Sequence, residues 1–539
     1  MLLDLAAAYQ AEGRAAEAAA ALERVVGAEP EHLAANARLG ACYAVLGRHE
    51  DAVRALSVMR RLDPTSKPAL EQLAESLLRL GRKLEAVDAL SARAALPPAE
   101  APWLVRLGDA LVDVSRFDDA AAAYARGCAL PGAPADAALR LSAAYLAAGE
   151  QAARDGKQED AALRFHHAVT ADPRSEKPRL ALALALVALK RPEEAMSAAH
   201  GALVAAPSSL DAAVLLGDLY SKHGKHAEAA QVFEFASRAQ PGIVAAADGA
   251  KTPPQAFEVM FGLGKSLAVL GKSAESIAAL RRTVEIDPKH AFAAKILARA
   301  LESAGKADEA LPVWKAVVAL EPEDGVANHR LGTLLARQGD HEAAATALAT
   351  ARRAMPDDVD VALALAASYE AQKRFEDAAP VLAAAAKARP KEAALHERLS
   401  AAYQADGRFE DAAAAYQQVI DLGRRDAPAF IHLGMLHEQA KKTEQALRAF
   451  QEAYRLDQRS VQAIRHIARA LQTAGRTAEA VQWLQGACGL DPRDAEVRYA
   501  LAACFLSLGR RAEANAEYGV LCNLDAPLAT KLYYLLAGR

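Results

Sequence analysis

The chain has 539 residues, is 53% hydrophobic but only 5% aromatic, and sets 64 basic against 68 acidic side chains. That near-neutral balance excludes a global field for nucleic acid or an anionic membrane, and the apolar fraction excludes a disordered chain. Five scattered cysteines without a CxxC pair argue against a disulfide framework or a structural zinc site and point to a reducing compartment.

The opening segment, MLLDLAAAYQAEG, carries Asp4 and Glu12 and no basic stretch, so it does not read as a signal peptide. The expected compartment is cytoplasmic, or periplasmic if a leader or anchor lies upstream. From here on the sequence is periodic. A short turn followed by an Glu-Ala or Asp-Ala pair recurs as EGRAAEA, LGRHEDA, LGRKLEA and onward to LGRRAEA. Its turn residues are Gly13, Gly47, Gly81, Ser115, Gly156, Lys190, Gly224, Gly271, Gly305, Gly339, Lys373, Gly407, Lys441, Gly475 and Gly509. Successive gaps are 34 residues except for one of 41 and one of 47, which makes fifteen units with insertions of 7 and 13 residues.

Each unit predicts two helices. In Leu33–Ser66, apolar residues recur at 3–4 spacing, Gly47-Arg48 breaks the pattern, a second periodic run follows, and Asp63-Pro64 ends it. Seven residues before every turn residue stands Gly, Ala or Ser, and five after it stands Ala in all units but one, where Ser276 replaces it. Small residues at both places predict close approach of the paired helices. A proline seventeen residues after the turn residue in eleven units marks the break before the next pair.

These positions carry a resemblance. The run Leu39-Gly40, Tyr43, Ala52, Leu56, Pro64, and again Leu216-Gly217, Tyr220, Ala229, Phe233, Pro241, resembles the tetratricopeptide repeat, and the fifteen copies extend it over nearly the whole chain. The resemblance implies an all-α fold, a right-handed superhelical solenoid of stacked antiparallel helix pairs whose first helices line a concave groove. It also implies a non-enzymatic scaffold that holds partner proteins or peptides in that groove. The alternative reading is an accessory arm of an enzymatic or export machine, such as a glycosyltransferase, a polysaccharide-secretion apparatus or a pilus-assembly system.

Departures from the period suggest the domain organisation: an array of seven units over residues 1–243, a Pro/Gly-containing loop over 244–256, eight units over 257–528, and a capping helix over 529–539. The 7-residue insertion at 135–141 amounts to two helical turns, so it lengthens a first helix without rotating its faces. The 244–256 loop is a tolerated surface insertion, or alternatively a hinge or partner-contacting element. The tail helix, with Tyr533 and Tyr534, either caps the array or also mediates self-association. The longest apolar run, Leu180 to Leu189, has ten residues, about half of the ~20 that span a bilayer, so no membrane insertion is expected.

Resident chemistry is not evident. Gly262-Leu-Gly264-Lys265-Ser266 suggests a phosphate loop, but Val259 stands where its first glycine belongs, and Gly264 is the helix-packing glycine of its unit. His223 and His226 lack a third ligand, and no nucleophile–base set departs from the repeat, so no catalytic residue, metal or cofactor is expected. The tyrosines fall on repeat positions, as core stripes rather than base-stacking platforms, so no nucleic acid is expected either. Function is therefore sought in the groove. The four asparagines of the chain lie away from the groove positions, which argues against asparagine-based capture of peptide amides. The candidate groove residues are apolar around the sixth unit, Leu180, Leu184, Val187 and then Val214. They turn basic further on, with Lys265, Lys295, Arg299, Arg330, Arg337, Arg465 and Arg469. An amphipathic or extended partner with an apolar and an acidic part suits that surface.

Overall fold

The computed structural model describes residues 1–240, 243 and 252–537. The helices form two compact units, Met1–Pro288 and Lys289–Arg539. In the first unit they are α1 (Leu2–Ala11), α2 (Ala15–Ala28), α3 (Leu33–Val45), α4 (His49–Leu62), α5 (Lys67–Arg79), α6 (Lys83–Ala95), α7 (Ala101–Asp113), α8 (Phe117–Cys128), α9 (Ala137–Arg154), α10 (Gln158–Ala171), α11 (Lys177–Ala188), α12 (Pro192–Ala205), α13 (Leu210–Lys222), α14 (His226–Ala239), α15 (Ala256–Val269) and α16 (Ser273–Ile286). In the second they are α17 (Ala291–Ser303), α18 (Ala307–Leu320), α19 (Gly325–Arg337), α20 (His341–Ala354), α21 (Val359–Ala371), α22 (Phe375–Ala388), α23 (Ala393–Ala405), α24 (Phe409–Asp421), α25 (Ala427–Gln439), α26 (Thr443–Leu456), α27 (Val461–Thr473), α28 (Thr477–Leu490), α29 (Ala495–Ser507), α30 (Arg511–Leu524) and α31 (Ala526–Leu536). No strand occurs among the described residues.

The turn inside each pair explains the periodic residues. In the second repeat, the Arg48 N–H donates to Tyr43 O at 2.9 Å and the Gly47 N–H to Ala44 O at 3.2 Å. This is the Schellman closure of α3, and it requires a left-handed residue at position 47, where φ is +71°. All fifteen turn residues adopt positive φ, including Ser115, Lys190, Lys373 and Lys441 near +60°. The basic residue after the turn does two further things. The Arg48 guanidinium stacks 4.4 Å from the Tyr43 ring centroid, and its Nε donates to Asp51 at 2.6 Å. Asp51 also lies in the first turn of α4, where a negative charge favours the helix dipole. The same stack recurs in Arg14 over Tyr9, Arg374 over Tyr369, Arg408 over Tyr403 and Arg510 over Phe505.

The small residues on the first helices receive large ones from the second. A Cβ added at Gly40 would stand 2.4 Å from Leu56 Cγ, at Gly108 2.5 Å from Tyr124, and at Gly434 2.4 Å from Phe450. Where a serine takes a small-residue place it bonds across the pair: Ser276 Oγ donates to Gly264 O at 2.7 Å, and Ser400 Oγ to Ala412 O at 2.8 Å. Thus Gly264 is a packing residue, pressed against Leu280.

Within each unit, stacking between pairs buries a seam of alanine, leucine and a few aromatics. It continues beyond the insertion at 244–256, of which only 252–256 fall within the described residues, because α14 packs on α15. The fully buried Phe233 of α14 lies between Gly217 of α13 and Gly262 of α15. The first helix that follows the 135–141 insertion, α9, runs for 18 residues where its counterparts α3, α5 and α7 have 13. At the other end α31 buries Ala529 and Leu532 against α29 and α30 and leaves Tyr533, Tyr534 and Leu535 exposed.

Candidate functional site

Successive first helices approach one another within each unit, as α9 does α11 and α25 does α27. No pair of successive second helices packs comparably among the described residues. The first-helix face is therefore the continuous surface on which residues of several repeats combine.

In the first unit this face carries the predicted apolar residues. Leu184 and Val187 of α11 are 57% and 40% exposed, and Leu180 and Val214 beside them are half-buried. Burying one such side chain fully is worth about 1.5–3 kcal/mol, so the strip is a ready source of binding energy. Lys265 of α15 is exposed and sits 4.7 Å over the Phe261 ring.

The basic candidates of the second unit are placed differently from one another. Lys295 of α17 is half-buried and bonded to Glu321 and Asp324. Burial works against its charge, but the two carboxylates prevail and raise its pKa. Arg330 of α19 pairs with Glu302 of α17 at 3.5 Å. Arg469 of α27 pairs with Glu438 of α25 and Arg465 with Glu496 of α29. These cations already neutralise acids of neighbouring repeats. Arg299 and Arg337 are exposed, the latter in the last turn of α19. The structure thus separates the candidates into an apolar group, a neutralised basic group and isolated exposed arginines.

Arg465 and Arg469 do share one feature, a cleft of about 610 Å³ across α27, α29 and the start of α31, with His466, Gln472, Tyr499 and Leu528 in its walls. Burial, reinforced by the positive Arg469 and Arg465, holds the His466 imidazole below its ordinary pKa. The ring also stacks on Phe450 with centroids 4.8 Å apart. This cleft can hydrogen-bond a polar backbone but contains no nucleophile–base pair. Among the described residues no group of three or more His, Cys, Asp and Glu side chains is arranged to hold a metal ion. None of the described helices is long and apolar enough to cross a membrane.

Sequence reasoning did not find the links between first helices: Glu75–Arg106, Asp109–Arg140, Glu302–Arg330, Glu370–Arg398 and Glu438–Arg469. A signal was present, since the partners stand 31 or 28 residues apart each time. It also did not find the role of Asn36 and Asn328. Each is buried, and its Nδ2 holds the preceding loop through Pro30 O and His32 O, or Pro322 O and Asp324 O.

Among solved structures, the chain is similar to YrrB, described as a TPR protein with an unusual peptide-binding site, at 26% identity. That match covers 38% of this chain and 96% of YrrB, with a TM-score of 0.32. It is similar to MamA at 20% identity, covering 32% and 94% of the two chains with a TM-score of 0.28. It is also similar to PilF of Pseudomonas aeruginosa at 18% identity, covering 43% and 97% with a TM-score of 0.32. No curated protein matches the chain. Two tetratricopeptide-repeat profiles match, one over residues 9–77 and 301–369, the other over 180–242, 214–291, 397–461 and 432–495. These matches take in more than half of the sequence, in register with the helix pairs described above, and the chain belongs to the tetratricopeptide-repeat family.

Proposed function

We propose that the protein is a non-catalytic scaffold that holds a partner protein or peptide against its first-helix face, with Leu180, Leu184, Val187 and Val214 as the principal contact. The observation that carries this reading is the exposure of Leu184 and Val187 on the first-helix face. Each repeat needs its seam residues for stacking, but these two lie outside the buried seam and add apolar surface to water. The second unit's cleft at Arg465 and Arg469 serves as a subsidiary contact for polar backbone. A partner that is itself an enzyme or an export component would make the chain an accessory arm, using the same face. The exposed Tyr533 and Tyr534 of α31 supply a self-association surface.

The test is affinity capture from the source cells with the full chain, comparing wild type with a Leu184→Ser, Val214→Ser variant. Loss of the captured partners, with capture retained by a Leu163→Ser control on the second-helix face, is the expected result. Equal capture by all three would sink the proposal.

A further inference from the structure

The partner's chemistry can be read from the charges around the apolar strip, on the premise that the first-helix face is the binding face proposed above. We infer that the strip takes an extended segment whose aliphatic side chains are flanked on both sides by lysine or arginine. Leu184 stands six residues before its turn residue. In the repeats before and after, the same place holds Glu150 of α9 and Asp218 of α13, both exposed. Neither carboxylate has an ion-pair or hydrogen-bond partner among the described residues. The acids earlier on this face are engaged: Glu71 by Arg93 at 2.6 Å, Glu75 by Arg106 at 3.2 Å, and Asp109 by Arg140 at 2.6 Å. Cations also lie nearby: Arg154 and Lys222 stand one helical turn after Glu150 and Asp218, Lys177 stands at the start of α11, and Lys265, over Phe261, holds the same place as Leu184 one repeat beyond Asp218. Over α9, α11 and α13 the order at that place is acid, apolar, acid.

This pattern selects by charge as well as by burial. An apolar segment covering Leu184 and Val187 also removes water from the two carboxylates beside them. Without counter-charges that desolvation opposes binding, and acidic flanks add repulsion, whereas basic flanks offset both. Neighbouring helices pack about 8–10 Å apart, which sets Glu150 and Asp218 roughly 20 Å from each other. About six residues of extended chain span that distance. The acidic partner expected from the sequence gives way here, because the basic candidates of the second unit are mostly neutralised while the unpaired charges at the place of Leu184 in the two flanking repeats are negative.

The probe is the end-blocked, fluorescein-labelled peptide Lys-Ala-Leu-Val-Leu-Ala-Leu-Lys, against the same peptide with both lysines replaced by glutamate. Each is titrated with the full chain at low salt and read by fluorescence anisotropy. The lysine peptide is expected to bind about tenfold more tightly, from two exposed charge pairs gained and two repulsions avoided. A Glu150→Gln, Asp218→Asn variant, both sites being exposed, should remove most of that preference. Equal binding of the two peptides, an unchanged preference in the variant, or no binding of either peptide would overturn the inference. If Leu184→Ser abolishes capture of cellular partners while the peptides fail to discriminate, this inference alone falls and the binding face stands.

Discussion

Phe233 offers a sharp test of how the helix pairs are held. Its ring is fully buried between two glycines, and a Cβ at either Gly217 or Gly262 would come within 2.4 Å of Phe233 Cζ. Real Cβ atoms do not sit so close to a ring, so in Gly217→Ala the ring or α13 must move. Overpacking of this kind costs about 1–3 kcal/mol. Alanine at the same time gains about 1 kcal/mol over glycine in a helix interior, so the fair comparison is with a helical glycine in open space. Gly27 in α2 has nothing within 4 Å of an added Cβ, and Gly27→Ala should show the bare gain. The expected difference between the two variants is therefore about 1–3 kcal/mol, with Gly217→Ala the less stable. Because Gly262 closes the other side of the ring, the double variant Gly217→Ala, Gly262→Ala should lose more than the two single losses together. A Phe233→Leu background should relieve part of the cost. Urea unfolding followed by circular dichroism, with hydrogen exchange read on α13–α15, measures the wild type and each variant. If Gly217→Ala stabilises as much as Gly27→Ala, the close-packing argument is wrong.

Three further outcomes follow from named groups. Ser115, Lys190, Lys373 and Lys441 occupy left-handed turns near φ +60°, so replacing each by glycine should stabilise its repeat by about 0.5–1 kcal/mol, the relief of a left-handed side chain less glycine's entropy. Urea midpoints that fall instead would contradict the turn assignment. Arg93 is 2% exposed and bonded to Glu71 and Glu100. Arg93→Ala should cost about 2–3 kcal/mol, below the ~3–5 of a fully buried pair because both carboxylates keep water contact; a wild-type midpoint would refute this. Burial holds His329, His432, His437 and His466, all on first helices of the second unit, below the ordinary histidine pKa. Folding favours their neutral form, so stability is present above about pH 6.5 and declines as pH falls below it, where the unfolded chain takes up protons first. Hydrogen-exchange protection of α19, α25 and α27, corrected for the slower intrinsic exchange at lower pH, should fall between pH 7.5 and 5.5, less so in a His432→Gln, His466→Gln variant; a fall unaffected by the variant would point to other groups.

The fold is legible in the sequence because each repeat solves the same local problem. The register of Gly47 and its counterparts specifies a left-handed turn strongly enough to hold at Lys373 and Lys441, where no glycine marks it. The Gly, Ala or Ser seven residues earlier specifies where a neighbour such as Leu56 or Phe450 will press. The candidate site is less legible for a physical reason. Whether Lys295 or Arg469 is available to a ligand depends on acids 26–31 residues away, and their proximity is decided by how successive pairs stack. Composition along one helix face counts charges but does not pair them. The apolar residues Leu184 and Val187 were readable because an aliphatic side chain off the seam has no such partner to hide it.

The central claim, that partners are held on the first-helix face, is tested most directly by position-specific photocrosslinking. A benzophenone side chain placed at Leu184 reports on that face, and one placed at Leu163, a comparably exposed leucine of α10, reports on the opposite helix row. Irradiation in the source cells is expected to give a discrete partner adduct from position 184 and none from position 163. Adducts from position 163 alone would show that the partner sits on the second helices and would contradict the account.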